Sequence, residues 1–230
     1  MRYYPIFLDL RGRRSVVVGG GRVAERKVKA LLRAGASVHV ISPAVTPRLA
    51  LLAARKKIGI TPRAYRPGDL AGSAPPGPEG PRGMRPVLVF AATDSPETQK
   101  AVRAEAAALG ALASAADDPQ QSDFIVPASF AQGDLTVAIS TSGSSPALAR
   151  RLRRQFQITL GSEYRAYVRF LREARKYVRE TVPDKQRRAR IFRRLAGGPV
   201  LDWLREGAPR RAAQDVKKLL AKVVGTEQEG

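Results

Sequence analysis

The segment Ser15-Val16-Val17-Val18-Gly19-Gly20-Gly21-Arg22-Val23-Ala24 constrains this chain more than any other. A β-branched run reads as a buried strand. Three glycines end it, and a helical pattern follows at once. Gly19 permits a tight turn. Gly21, lacking a Cβ, lets a pyrophosphate approach the backbone, and Ala24 is small enough for the helix to pack close against the strand. The N-terminus of such a helix offers free N–H groups and the positive end of a dipole to phosphates. The pattern points to a dinucleotide, with NAD(P) as the cofactor.

The rest of the first half repeats this grammar. Residues 15–18, 37–41, 58–65, 86–93 and 111–116 read as strands, and residues 22–33, 46–57 and 96–109 as helices. Strand–helix alternation of this kind implies an α/β fold with a Rossmann-type, doubly wound parallel sheet. Residues 67–86, rich in Pro, Gly and Ala, read as a disordered surface loop without chemistry. Beyond residue 117 the pattern changes. Residues 124–130 and 135–141 read as two paired strands, forming a small α+β region. The rest is helical, with breaks near Gly161, Pro183, Gly197-Gly198-Pro199 and Gly207-Ala208-Pro209. The expected divisions are a cofactor domain over residues 1–113, a paired-strand region over 114–148 and a helical C-terminal domain over 149–230.

Composition narrows the chemistry. The 230 residues include no cysteine, which excludes disulfides, thiolate catalysis and cysteine-based zinc sites. His39 is the one histidine. It lies within the second strand, so it reads as a packed or solvent-facing side chain, and no dedicated metal site is evident. No apolar run approaches the roughly 18 residues of a membrane span. The opening residues lack a secretory apolar core, so the expected location is cytoplasmic. A net charge of +21 favours anionic partners: nucleic acid, an anionic membrane or a multi-carboxylate substrate. The aromatics are few and not interleaved with the basic runs, which argues against nucleic acid.

Further segments, in order and spacing, carry a specific resemblance. They are Tyr4-Pro5-Ile6-Phe7-Leu8-Asp9-Leu10, Ala91-Ala92-Thr93-Asp94, Ala116-Asp117-Asp118-Pro119, Asp123-Phe124-Ile125-Val126-Pro127 and residues 139–150, which include Ser140-Thr141-Ser142-Gly143-Ser144-Ser145-Pro146. Over roughly residues 3–155 the chain resembles the precorrin-2 dehydrogenase and sirohydrochlorin ferrochelatase family, the NAD-dependent N-terminal module of siroheme synthase. The resemblance implies an NAD-binding domain, a dimerisation region with exchanged strands, and a homodimer. It also implies the reaction: precorrin-2 loses a hydride to NAD⁺ and a proton to solvent, giving sirohydrochlorin. Dedicated dehydrogenases and members that also insert Fe²⁺ share these motifs, so iron insertion stays open. Two other classes are weighed against this one: an NAD-sensing regulatory module, which needs neither Asp117 nor the Ser-rich segment, and a basic nucleic-acid-binding protein.

The resemblance also implies site residues. Gly19, Gly21, Arg22, Val23, Pro43 and Ala44 would hold NAD, with Thr93 and Asp94 at the end of the fourth strand; the competing reading of Asp94 is a helix cap ahead of Pro96. Asp117 stands where the family keeps its essential aspartate, suited to accept the proton released with the hydride; otherwise Asp117-Asp118-Pro119 is a turn. Ser142, Ser144, Ser145 and Arg150 would bind the acetates and propionates of the tetrapyrrole, with Arg151, Arg153 and Arg154 close in sequence. Thr141 reads as a backbone cap. Two positions depart from the family: Ser114 and Gln99 stand where Asn is common. The second strand ends in Ser42-Pro43 rather than in the acidic residue that would hold the ribose of NAD, so this position leaves NAD and NADP both open.

Overall fold

In the computed structural model, residues 3–72, 85–115 and 121–206 are described. The run Ser15–Val18 sits inside strand β1 (Arg14–Val18), every residue of which is buried. Alternation distributes its side chains to two faces. Val17 enters one core with Val38, Val40 and Phe90, whereas Val16 and Val18 enter another with Ile41 and Val89. A strand covered on both faces favours apolar side chains, which Val16–Val18 supply; Arg14 and Ser15, at its start, are buried polar exceptions. Burying each such valine contributes about 1.5–3 kcal/mol.

The first unit, Met1–Val126, runs β1, α1 (Arg22–Arg33), β2 (Ser37–Ile41), α2 (Pro47–Ala54), β3 (Gly59–Thr61), β4 (Leu88–Ala91), α3 (Pro96–Ala108) and β5 (Leu112–Ala115). Its five strands are all parallel, in the order β3-β2-β1-β4-β5. The chain steps outward from β1 to β3, then returns to the other side of β1. The reversal between β1 and β4 is where such sheets place ligands. Helices α1 and α2 cover one face through Ala24, Val28, Leu31 and Leu49; α3 covers the other through Val102 and Ala106. The doubly wound parallel sheet read from the sequence is therefore present.

Three helices begin alike. Thr46, Ser95 and Ser145 precede Pro47, Pro96 and Pro146, and each hydroxyl oxygen accepts from a backbone N–H three residues on. The cap satisfies an orphan donor and the proline's fixed φ suits the first turn.

The second unit, Pro127–Gly230, opens with the antiparallel pair β6 (Ala128–Gln132) and β7 (Leu135–Ile139). They are joined at Gly133, whose φ of +63° suits a two-residue hairpin loop. Helices α4 (Pro146–Thr159), α5 (Glu163–Thr181), α6 (Lys185–Ala196) and α7 (Val200–Arg205) follow. Tyr167, Phe170, Ala174 and Val178 recur at helical spacing on α5 and form a core with Ile191, Leu195 and Val200.

Three elements differ from the sequence reading. Strand β3 is shorter than expected, spanning Gly59–Thr61. Phe124 is not in a strand. Its ring packs edge-to-face on Phe90, with centroids 5.4 Å apart, and so joins the sheet core of the first unit. Most of the expected loop over residues 67–86 lies outside the described residues, but its first part is ordered. Leu70 is buried, and Glu105 on α3 accepts hydrogen bonds from the N–H groups of Gly68, Leu70 and Ala71 and from the Tyr65 hydroxyl. The buried Arg14 donates to the Leu70 carbonyl at 2.6 Å. These partners are remote in sequence, so no local pattern reveals them.

Candidate functional site

Strand β1 ends at Val18, and the chain turns at Gly19 with φ +119°, a conformation that favours glycine. The Gly19 N–H donates to Ile41 O of β2 at 2.9 Å, while a Cβ on Gly19 would stand 2.0 Å from the Ala92 carbonyl oxygen beyond β4. Gly20 is equally confined: a Cβ there would meet Ala44 O at 2.0 Å and Ser42 Oγ at 2.8 Å. The turn thus threads between the ends of β2 and β4. Gly21 differs, since a Cβ built on it would meet nothing within 4 Å. It occupies the N-cap of α1 without a capping side chain, facing open space. A helix of twelve residues therefore presents its N-terminus beside an uncovered glycine at the reversal of strand order. Two closed glycines and one open one fit a bound pyrophosphate.

The neighbouring loop is pinned to this turn. Thr46 N–H donates to Gly20 O at 3.0 Å, and Thr46 Oγ1 donates to Glu25 Oε2 of α1 at 2.8 Å. Ser42 Oγ donates to Ala44 O at 2.7 Å. Pro43 and Ala44 are consequently held exposed beside the glycines. No carboxylate occupies the end of β2, where Ser42-Pro43 follows Ile41.

Beyond β4, Thr93 is half-buried and Asp94 exposed. Ser95, not Asp94, caps α3, so Asp94 is not used as the cap. Gln99 Nε2 donates to Thr93 O at 2.6 Å, anchoring the loop from inside α3. The structure brings Gly19, Gly21, Arg22, Val23, Pro43, Ala44, Thr93 and Asp94 to the carboxyl ends of adjacent strands, with Arg22 exposed and Val23 half-buried in the first turn of α1. Gly20, Thr46 and Glu25 also shape the crevice. The sequence signals were the middle glycine of the triplet and Pro47 in the first turn of its helix; Glu25 had none.

Asp117 lies outside the described residues. The nearest described residues are Ala115 before it and Gln121 after it. Asp123 Oδ2 accepts from Ala113 N–H at 2.8 Å, and Ser122 Oγ accepts from Ala115 N–H at 3.1 Å, tying the returning chain to β5. Ser114 is buried in β5.

The serine-rich loop belongs to the second unit. Ser142 has φ +54°, and its N–H donates to Ser140 Oγ at 3.0 Å. Thr141 Oγ1 accepts from Ser145 N–H at 3.0 Å, acting on the backbone as read from the sequence. Ser145 caps α4 through Leu148 N–H. Ser142, Ser144 and Arg150 are exposed. His39 lies on β2 with Nε2 2.8 Å from Thr61 Oγ1 of β3. Burial, and after it the charge of Arg14, push its imidazole below the ordinary range.

The sequence model of a family described as "Putative NAD(P)-binding" matches residues 6–128. The chain belongs to this NAD(P)-binding family. A second model, described as "Sirohaem biosynthesis protein central", matches residues 132–157, which span the end of the hairpin and most of α4. Among curated relatives, the siroheme synthase of Chromobacterium violaceum is 37% identical over 221 residues, covering 96% of this chain and 44% of that protein. The siroheme synthase of Gluconacetobacter diazotrophicus is 37% identical over 219 residues, covering 95% of this chain and 45% of the relative. The chain therefore spans less than half the length of these relatives. Among solved structures, "SirC, precorrin-2 dehydrogenase" superposes with a TM-score of 0.73 at 25% identity, covering 94% of this chain and all of the other. The resemblance read from segments along the chain thus stands on family, relatives and fold together.

Proposed function

We propose that this chain binds NAD⁺ in the crevice at the carboxyl ends of β1, β2 and β4 and oxidises precorrin-2 to sirohydrochlorin. The observation that carries the reading is the contrast within the glycine turn: Gly19 and Gly20 are closed by backbone, and Gly21 is open at a helix N-terminus. The similarity to siroheme synthases and to a precorrin-2 dehydrogenase supplies the substrate.

The bound nicotinamide would accept the hydride. The protein's own residues supply the rest. The N–H groups opening α1 hold the pyrophosphate, with Arg22 and Val23 in the same turn. Pro43 and Ala44, fixed by Ser42 and Thr46, border the adenosine. Thr93, anchored by Gln99, and Asp94 border the nicotinamide. Asp117 accepts the proton lost with the hydride. The hydroxyls of Ser142, Ser144 and Ser145 and the guanidinium of Arg150 bind substrate carboxylates. The reading includes a cytoplasmic homodimer; Fe²⁺ would be a second substrate if sirohydrochlorin is also metallated.

The test is anaerobic incubation with NAD⁺ and precorrin-2, following NADH and sirohydrochlorin. Asp117→Ala should lower turnover by at least about 100-fold, the range of a lost acid–base group, while coenzyme still binds. Unchanged turnover would remove Asp117 from the mechanism. Absence of NADH formation by the unaltered chain would overturn the assignment. Fe²⁺ insertion, assayed separately on the same proteins, decides the second activity.

A further inference from the structure

The helical unit carries a feature that neither coenzyme binding nor the serine-rich loop uses. On α5, Arg172, Arg175, Lys176 and Arg179 recur at three- and four-residue intervals and so form one stripe. Lys185 and Arg188, at the start of α6, extend it. Two adjoining depressions of about 470 and 340 Å³ share Arg175 and Arg179 as lining residues. Glu180 is the one carboxylate that lines either.

Like charges at this spacing repel and destabilise a helix unless an anion offsets them. Some of the cations are engaged. Arg172 pairs with Asp134 at 2.7 Å, and Arg188 donates to the carbonyls of Val182 and Pro183 at 3.0 and 2.8 Å. Among the described residues, no carboxylate forms an ion pair with Arg175, Lys176, Arg179 or Lys185. Arg175 is nevertheless held in place, its guanidinium 4.7 Å from the centre of the Phe192 ring. A cation positioned by stacking needs less ordering when an anion arrives.

We infer that the α5–α6 face is a binding site for a compact polycarboxylate, the chemistry that rims the tetrapyrrole of the proposed reaction. The inference rests on that reading for its ligand class. Arginine forks match carboxylates in pairs. The depressions have the size of small-ligand sites, about 300–1,000 Å³, rather than of a groove tracking a long strand. Phe192, the aromatic residue lining one depression, carries Arg175 over one face of its ring.

The experiment titrates the full chain with metal-free uroporphyrin, which carries acetate and propionate on every pyrrole, and with coproporphyrin, which has half as many carboxylates. Uroporphyrin should bind the more tightly. The double variant Arg179→Gln with Lys185→Gln should bind it about tenfold more weakly, the loss expected for charge-assisted contacts. Glu180→Gln should strengthen binding. Circular dichroism melts establish that each variant is folded, and Arg179→Lys, which keeps the charge without the fork, should fall between. Uroporphyrin affinity unchanged in a folded double variant overturns the inference, whatever the dehydrogenase assay reads. Loss of affinity in a chain that does not oxidise precorrin-2 upholds the site and counts against the proposed reaction. Tripolyphosphate and a short DNA duplex serve as competitors. Displacement by the duplex at a lower phosphate concentration than by tripolyphosphate would assign the face to nucleic acid and overturn the compact ligand.

Discussion

Gly19 passes so close to Ala92 that a Cβ on the glycine would stand 2.0 Å from the alanine carbonyl oxygen. Gly21, two residues on, faces nothing within 4 Å. The two glycines therefore serve different ends, and alanine substitution separates them. Gly19→Ala incurs strain at φ +119° and a backbone clash that only movement of β1 against β4 relieves, a loss of about 3 kcal/mol or more. Gly21→Ala keeps an allowed φ of −79° and should cost only about 1 kcal/mol, the disadvantage of alanine against glycine at an N-cap. Its methyl group occupies the space a pyrophosphate needs, so coenzyme affinity should fall at least about tenfold. Urea melts and coenzyme titration of both variants check the contrast.

Thr46 joins three parts of the crevice: its N–H reaches Gly20 O, its hydroxyl donates to Glu25, and its oxygen caps α2. Thr46→Ala should cost about 1 kcal/mol through the lost cap. It should also weaken coenzyme binding, because the segment bearing Pro43 and Ala44 loses its anchor. Thr46→Ser should restore both, measured by denaturant melts and fluorescence titration.

Glu105 gathers the Tyr65 hydroxyl and three backbone N–H groups onto α3, and it lies in the field of the buried Arg14. Its truncation leaves these donors without their acceptor. Glu105→Ala should destabilise the first unit by about 3 kcal/mol, and Glu105→Gln by less, since the amide oxygen still accepts. Thermal melts rank the two. Equal losses would mean that the neutral amide replaces none of what the carboxylate contributes.

The imidazole of His39 is held below its ordinary value of 6.5, first by burial and then by Arg14, with Asp69 opposing. Between its folded value and 6.5 the unfolded chain binds more protons than the folded one. Stability is therefore full above about pH 6.5 and declines as pH falls through the folded value. His39→Gln should flatten that part of the curve, read from urea midpoints across a pH series. Asp69 contributes in the same sense. The Arg63 guanidinium beside it depresses its carboxyl below 3.8, so its contribution is present above that value and lost as pH falls through the depressed one.

Periodicity and caps carried much of the fold. The run Val16–Val18, the alternation of strand and helix, and the proline starts of α2, α3 and α4 are all local signals, because burial on both faces and an orphan N–H are needs met within a few residues, although at α3 the cap is Ser95 and not Asp94. Gly19 and Gly21 were legible for the same reason. Gln99 was read as a departure from family pattern. Its amide reaches Thr93 O and supports the loop, a contact set by the geometry of α3 rather than by residue type.

Order along this chain thus follows from two kinds of cause. Apolar pattern and backbone freedom, written into the amino acids themselves, dictated a parallel sheet with a glycine crossover and the helices that flank it. Placement of Arg14 against Leu70, 56 residues away, of Phe124 on Phe90, and of lysines and arginines from α5 and α6 around shared depressions arose from packing alone. Such contacts are made between surfaces that meet only after the elements have formed, and no short window of residues encodes them.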